Sequence, residues 1–283
     1  MLEINGLVKR YKDFTLECSM KVEKGCITGL IGENGSGKST MFKSVLGLIS
    51  YEEGEVSLFG RAPARLQKED RERMGIVLGE SGFSGYLKVK DIIPVLAAMY
   101  PKFERERFIK LCGKFSIPQD KAINEFSTGM KAKLKVFAAI THGADFLFMD
   151  EPTTGLDVMT RNDVLDLLRE YMEQDNSRSI LISSHISSDL EGLCDDIYMI
   201  HEGRIIFHED MDKLLNEYGL IKADEEQFKR LDKEHILSVR KENFGYSCLT
   251  GQRRYYIENY PDMVVEKGNL DEVITMMSGG RRL

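Results

Sequence analysis

A glycine-rich segment near the N-terminus, Gly32–Thr40, leaves few folds open to this chain. It reads GENGSGKST, fits the pattern GxxxxGK followed by Ser or Thr, and comes directly after the apolar run Cys26–Ile31. Glycines let the backbone turn tightly, so that its N–H groups point inward at phosphate oxygens, and the start of the following helix adds a favourable dipole. The order of apolar strand, glycine-rich turn and helix therefore predicts a phosphate-binding loop.

Two side chains of this loop carry the chemistry that a bound nucleotide needs. Lys38 supplies a positive charge for the β- and γ-phosphates, and Ser39 offers a hydroxyl to Mg²⁺, whose other ligands are mostly water and phosphate. We therefore expect Lys38 to act in catalysis and Ser39 to bind the metal. The residues expected to line the phosphates are Gly32, Asn34, Gly35, Ser36, Gly37, Lys38, Ser39 and Thr40.

Short apolar runs alternate with helical stretches along the chain. The runs that read as buried strands are Ile27–Ile31, Gly75–Leu78, Phe146–Met149, Ser179–Ser183 and Ile197–Ile200. The stretches of helical character are Ser39–Leu48, Phe103–Phe115, Met130–His142 and Thr160–Glu173. This alternation predicts an α/β fold, in which a mainly parallel sheet is covered by helices on both faces.

Two regions depart from that alternation. Residues from about 82 to 142 look mostly helical and predict a helical insertion within a domain spanning 1–215. Residues 216–283 predict a small α+β appendage of unknown role. Its predicted helices and strands are Glu225–Asp232, His235–Val239, Tyr246–Leu249, Tyr255–Ile257, Met263–Val265 and Leu270–Met277.

An apolar run ends in two adjacent carboxylates, Asp150 and Glu151. Neighbouring residues of a strand point to opposite sides, so Asp150 can face the Mg²⁺ shell while Glu151 reaches a water beyond the γ-phosphate. Glu151 would then orient and polarise that water as a general base. A solvated acid pair that merely ends a strand is the alternative.

Two further polar residues follow the acid pair. Asp157 reads as the N-cap of the next helix, a role compatible with a place in the nucleotide site. His185 ends the run Ile180–Ser184, one crossover after the acid pair, where a sensor of the γ-phosphate would lie. A lone histidine after a strand is more often structural, so the catalytic role expected of His185 depends on the other motifs.

Charge, cysteine content and hydropathy indicate which partners and which cellular environment to expect. The net charge is −7, and the sequence has no basic tail and no cluster of Lys and Arg of the kind that neutralises a phosphate backbone, which argues against nucleic acid as a main partner. The five cysteines are scattered without CxxC pairing, which favours reduced thiols over a zinc site or disulfides. No window approaches the roughly 20 apolar residues that span a bilayer. We expect the chain to serve any membrane from the cytoplasm, through another protein.

In their order and spacing, these motifs resemble the ABC ATPase cassette. The phosphate loop is followed by Phe126–Met130 (FSTGM), then by Asp150 and Glu151, then by Gly155–Asp157, and finally by His185. The resemblance covers roughly residues 1–215 and implies a RecA-like core with an N-terminal β portion. The segment Tyr100–Phe103 and the short tail look like the ATP-binding subunits of ABC-2-type bacterial exporters.

This resemblance implies an ATPase that binds ATP and Mg²⁺ and works as a dimer. Tyr11 would stack on adenine, and Ser127 and Gly129 would contact the γ-phosphate bound to the second ATPase subunit. Two ATP molecules would then join the subunits head to tail, as a homodimer or a heterodimer. The movement of these subunits would be transmitted to separate transmembrane permease subunits of ABC-2 type. This chain would then be a peripheral protein at the cytoplasmic face of the membrane.

Two motifs differ from the family pattern. The signature is usually LSGGQ and here reads FSTGM, but the serine and second glycine are retained and Thr128 is small, so function should persist. The family's metal-touching glutamine falls here on Gly79, with Glu80 next. Glu80 either replaces it as a Mg²⁺ ligand or is merely solvated.

Two other functions remain open. A soluble ABC ATPase of translation or DNA repair is the principal alternative, although such proteins usually have two cassettes or long coiled coils, and this chain has one cassette without sustained heptads. An unrelated phosphate-loop kinase or GTPase would leave Ser127–Gly129 unexplained. The transported substrate is not encoded here.

Overall fold

The computed structural model describes residues 1–79, 82–243 and 245–279. The strands are β1 Leu2–Arg10, β2 Thr15–Val22, β3 Ile27–Ile31, β4 Glu53–Leu58, β5 Met74–Val77, β6 Phe146–Asp150, β7 Ser179–Ser184, β8 Asp196–His201, β9 Arg204–Asp210, β10 Gly219–Ala223, β11 Ile236–Glu242, β12 Gly245–Thr250 and β13 Val264–Lys267. The α-helices are α1 Lys38–Val45, α2 Lys68–Glu72, α3 Val89–Met99, α4 Arg105–Lys114, α5 Thr128–Ile140, α6 Val158–Glu173, α7 Ser187–Glu191, α8 Met211–Glu217, α9 Glu225–Arg230, α10 Arg253–Asn259 and α11 Leu270–Gly279. None of these helices is long and apolar enough to cross a membrane.

A nine-stranded sheet in the order β4-β1-β2-β9-β8-β3-β7-β6-β5 forms the main unit. The run from β8 to β5 is parallel, whereas β1 pairs antiparallel with β2 and β4, and β9 pairs antiparallel with β8. The predicted α/β class, with a mainly parallel sheet and an N-terminal β portion, is confirmed.

The central strands explain the continuous apolar runs of the sequence. Every residue of β3, β6 and β7 is buried. Along β6, Leu147 and Met149 join one hydrophobic cluster, and Phe146 and Phe148 join another on the opposite face. Because successive side chains of a strand point to opposite faces, a sheet covered on both sides needs apolar residues at every position.

The parallel strands bring three loops to one edge of the sheet. The phosphate loop follows β3, Glu151 follows β6 and His185 follows β7, and β7 lies between the other two strands. The carboxyl ends of parallel strands meet at the same edge, which is where ligands bind in open α/β sheets. The functional residues predicted from separate motifs therefore face a common region.

Helices α3, α4 and α5 occupy the chain between β5 and β6. Within residues 82–145 the structure shows no strand, only an isolated bridge between Lys88 and Ala122. Apolar residues of these helices, among them Ile92, Phe108 and Phe137, are fully buried in the same cluster as β6 and β7. The helices are thus packed against the sheet through a shared core.

The chain after α8 builds a second, antiparallel sheet in the order β11-β12-β10-β13. One prediction for this region was wrong: Tyr255–Ile257 lies inside helix α10, not in a strand. The β-forming preference of these residues is overridden by packing, because Tyr256 points into the small core beside β10 and β12 and is fully buried. Strand β10 had no counterpart among the predicted elements.

Helix α11 connects this second sheet to the main unit. The Ser187 hydroxyl at the start of α7 donates to Asp271 at 2.6 Å, and the Leu270 N–H donates to Glu191 at 2.7 Å. Val273 and other apolar residues of α11 join the main hydrophobic core. The tail is therefore docked directly on the short helix that follows His185.

Candidate functional site

The phosphate loop places glycine where the backbone needs it. Gly35 and Gly37 have φ of +83° and +113°, in the left-handed region that favours glycine. A Cβ on Gly32 would lie 2.4 Å from the Ile200 carbonyl oxygen, so a larger residue would push the loop away from β8. The sequence pattern thus reflects steric demands as well as ligand chemistry.

Lys38 begins α1 and is buried beneath the loop. Its ammonium donates to the carbonyl oxygens of Gly32 at 2.6 Å and Glu33 at 3.1 Å, and lies 3.1 Å from Glu151 Oε1. The Ser36 hydroxyl is also buried and has no hydrogen-bond partner among the residues that the structure describes. The loop therefore offers a positive charge and an unpaired hydroxyl together, a combination that suits an anionic group.

Asp150 ends β6 and is held by the next strand. It is buried, and its Oδ1 accepts a hydrogen bond from the Ser183 hydroxyl at 2.7 Å. Ser183 also anchors the following residue, since its hydroxyl oxygen accepts from the Glu151 N–H at 3.0 Å. One serine of β7 thus fixes the positions of both carboxylates.

Glu151 is held by three neighbouring side chains. Its Oε2 accepts from the Thr154 hydroxyl at 2.6 Å and lies 2.7 Å from His185 Nδ1, which carries the proton because a carboxylate only accepts. Burial acts to raise the pKa of Glu151, but these two hydrogen bonds and the nearby charge of Lys38 outweigh it and hold the pKa below its ordinary value. Glu151 is therefore ionised at neutral pH.

A cleft of about 290 Å³ joins the loop, the Glu151 carboxylate and two aromatic rings. The residues that line it are Tyr11, Phe14, Asn34, Gly35, Gly37, Lys38, Ser39, Thr40 and Glu151. The rings of Tyr11 and Phe14 lie 6.4 Å apart at the turn between β1 and β2. Phe14 was missed by sequence reasoning; its position three residues after Tyr11 in the same hairpin turn was the available signal.

Ser127, Gly129 and Asp157 lie outside that cleft, at the starts of two neighbouring helices. The Ser127 hydroxyl caps α5 by accepting from the Met130 N–H at 3.2 Å. Asp157 caps α6 by accepting from the N–H and hydroxyl of Thr160, and these hydrogen bonds lower its pKa. Within one chain, these three predicted nucleotide-binding residues form a separate surface.

The oxygen donors beside the loop suit Mg²⁺. A hydroxyl from Ser39 and a carboxylate from Asp150 are the hard ligands that this cation takes. Among the residues that the structure describes, no three His, Cys, Asp or Glu side chains cluster as a metal site, so a metal here would need phosphate and water as further ligands. Glu80, the other predicted metal ligand, lies outside the described residues, directly after Gly79.

Comparison with known proteins gives consistent results. Residues 16–154 match the family model described as ABC transporter. The chain is 31% identical to the ABC transporter ATP-binding protein NatA of Bacillus subtilis (strain 168), over 76% of this chain and 91% of that protein. It is 31% identical to the ABC transporter ATP-binding protein YtrB of the same strain, over 100% of this chain and 99% of that protein.

Other relatives and solved structures agree. Identity is 32% to the lantibiotic transport ATP-binding protein SrtF of Streptococcus pyogenes, over 75% of this chain and 92% of that protein. A solved ATP-binding subunit of an ABC transporter superposes with a TM-score of 0.68 at 27% identity, over 76% of this chain and 91% of that one. The fold is also that of a dimeric ATP-binding cassette in a post-hydrolysis state with ADP and Pi, with a TM-score of 0.66 at 19% identity, over 75% of this chain and 99% of that one.

Proposed function

This chain belongs to the ABC transporter family as an ATP-binding, ATP-hydrolysing subunit, and we propose that Glu151 is its general base and that the movement of the subunits during ATP hydrolysis drives export through a separate permease. The observation that carries the catalytic assignment is the place of Glu151. It lines the same cleft as the phosphate loop and is held between Lys38 and His185.

Hydrolysis requires a water attacking the γ-phosphorus while its proton is removed. Glu151 is ionised and half-buried, so it can accept that proton as the bond to the ADP oxygen breaks. His185 holds the carboxylate in place through Nδ1, and Lys38 neutralises charge on the β- and γ-phosphates. Ser39 and Asp150 would hold Mg²⁺, which, when bound, neutralises charge on the phosphate oxygens.

The second nucleotide contact is assigned to another copy of the cassette. Ser127 and Gly129 lie outside the cleft that holds Lys38, so they are free to meet a nucleotide bound to a partner subunit. A backbone N–H and a hydroxyl at a helix start suit the γ-phosphate. Two subunits joined head to tail would enclose two ATP molecules and separate after hydrolysis.

We assign the membrane partner to the ABC-2 type and the direction to export. Likeness to the lantibiotic transport protein SrtF supports a role in transport, and the resemblance of Tyr100–Phe103 and the short tail to ABC-2-type exporters supports the type and the direction. The absence of a membrane-spanning helix among the described residues fits a subunit attached to the cytoplasmic face through its permease.

The catalytic assignment is tested by Glu151→Gln in the full-length protein. The amide keeps the size of the side chain but cannot accept the proton, so the turnover number should fall about 10²- to 10⁴-fold while ATP binding survives. Phosphate release and fluorescent-nucleotide titration measure the two effects. Glu226→Gln, the same change at an exposed position of α9, is the control and should behave as the wild type. Normal turnover of E151Q would exclude Glu151 as the base.

The partner assignment is tested by affinity purification from detergent-solubilised membranes of the native cell. The tagged E151Q protein with Mg-ATP holds the closed state during the purification. Recovery of a multi-spanning membrane protein is the expected result and would also show whether a second type of ATPase subunit is present. Recovery of ribosomal or DNA-repair proteins, without a membrane protein, would contradict the transporter assignment and leave the ATPase chemistry intact.

A further inference from the structure

A buried carboxylate behind the catalytic pair has no role in the chemistry described so far. Asp189, in α7, is fully buried. Its Oδ2 accepts from the hydroxyls of Thr153 at 2.6 Å and Ser184 at 3.3 Å, and its Oδ1 forms an ion pair with Arg161 of α6. Apolar residues can often replace a buried ion pair without loss of stability, so stability alone does not account for this cluster.

The two hydroxyl partners of Asp189 flank the catalytic residues. Thr153 follows Glu151 by two residues, and Ser184 immediately precedes His185. The Ser184 hydroxyl oxygen also accepts from the Ile186 N–H at 3.0 Å, on the far side of the histidine. A single carboxylate therefore ties together the loop that carries the base and the loop that orients it.

The backbone of Glu151 needs such an anchor. Its φ of +52° lies in the left-handed region, which a glutamate adopts only when its surroundings enforce it. On the N-terminal side, the Glu151 N–H donates to the backbone oxygen and hydroxyl of Ser183. On the C-terminal side, the buried side chain of Thr153 is attached to Asp189.

We infer that Asp189 is a positioning residue for ATP hydrolysis, which holds Glu151 and His185 in register through the hydroxyls of Thr153 and Ser184. The inference rests on the proposed role of Glu151 as the base. Releasing one hydroxyl frees the Glu151 loop to relax toward an ordinary backbone conformation, which displaces the carboxylate from the attacking water. A displacement of about 1 Å can cost about 100-fold in rate.

Thr153→Val tests the hydrogen bond between Thr153 and Asp189. Changing Asp189 itself would leave Arg161 without its counter-charge, whereas T153V keeps the branched shape of the side chain and replaces only the hydroxyl by a methyl group. At saturating Mg-ATP, the turnover number of full-length T153V should fall about 10- to 100-fold, with the KM and the affinity for ATP unchanged. Thr153→Ser restores the hydroxyl and should restore most of the rate. The melting temperature of each variant is measured alongside.

The outcomes separate positioning from a merely structural role. A T153V protein with wild-type turnover, or T153V and T153S proteins with equal defects, would overturn the inference. Should T153V not accumulate as folded protein, Ser184→Ala tests the hydrogen bond between Ser184 and Asp189 by the same comparison of turnover and affinity. E151Q serves as the reference: wild-type turnover of E151Q overturns the proposed function, whereas loss of turnover in E151Q with normal turnover in T153V overturns only the role of Asp189.

Discussion

At the scale of single residues, Glu151 and Lys38 have opposing preferences toward a nucleotide. Both line the cleft, and the Lys38 ammonium lies 3.1 Å from the Glu151 carboxylate. The phosphates of ATP are attracted to Lys38 and repelled by Glu151, so binding must replace this ion pair with contacts between Lys38 and phosphate. The carboxylate is then expected to keep its hydrogen bonds to Thr154 and His185, which hold it in the position proposed for the base.

Tyr11 is expected to contribute binding energy through its ring and not through its hydroxyl. Its side chain is half-exposed at the mouth of the cleft, where a base can stack on it. Because a base–aromatic stack contributes about 1–3 kcal/mol, Tyr11→Ala should weaken ATP binding about 5- to 150-fold. Tyr11→Phe keeps the ring and should bind ATP as the wild type does. Equilibrium titration with a fluorescent ATP analogue measures both, and unchanged affinity of Y11A would remove Tyr11 from the site.

At the scale of elements, helices α5 and α6 approach each other closely at Gly129. A Cβ there would lie 2.8 Å from Thr160 Cγ2, so either Thr160 would have to rotate away from its hydrogen bond to Asp157 or one helix would have to shift. Gly129→Ala should therefore destabilise the protein by about 1–3 kcal/mol. Gly113 in α4 has open space around its Cβ position, so Gly113→Ala is the matched control and should stabilise by about 0.5–1 kcal/mol. Denaturant unfolding measures both changes, and equal effects would show that steric contact at Gly129 is unimportant.

Elements that the sequence specifies locally were predicted well. The phosphate loop, the five short strands predicted for the core and the N-cap of α6 depend on residues adjacent in the chain. Elements fixed by distant partners were not: Tyr255–Ile257 became helical to bury Tyr256, and β10 is defined by its pairing with β12 and β13. For the same reason the Asp189 cluster escaped prediction, since Asp189 and Thr153 are 36 positions apart in sequence.

At the scale of the whole molecule, two exposed apolar side chains identify the surface that a second subunit is expected to cover. Val158 and Met159 follow Asp157 at the start of α6 and are 68% and 74% exposed. The next residue, Thr160, lies against Gly129. These side chains therefore sit beside the helix start that is proposed to contact the partner's nucleotide, where burial on dimerisation would remove them from water.

A charge placed on that surface should block dimerisation without affecting the fold. In the E151Q background, Mg-ATP should convert the 32.3 kDa chain to a species of about twice that mass, measured by light scattering after size exclusion. Adding Met159→Asp buries an unpaired charge in the interface, so this protein should stay monomeric at the same concentration and still bind ATP. Leu48→Asp makes the same change at a 60% exposed position just past α1, at the opposite end of that helix from the phosphate loop, and should leave dimerisation intact. Dimerisation of the M159D protein at the level of E151Q alone would show that the start of α6 lies outside the interface, and the head-to-tail contact through Ser127 and Gly129 would then be excluded with it.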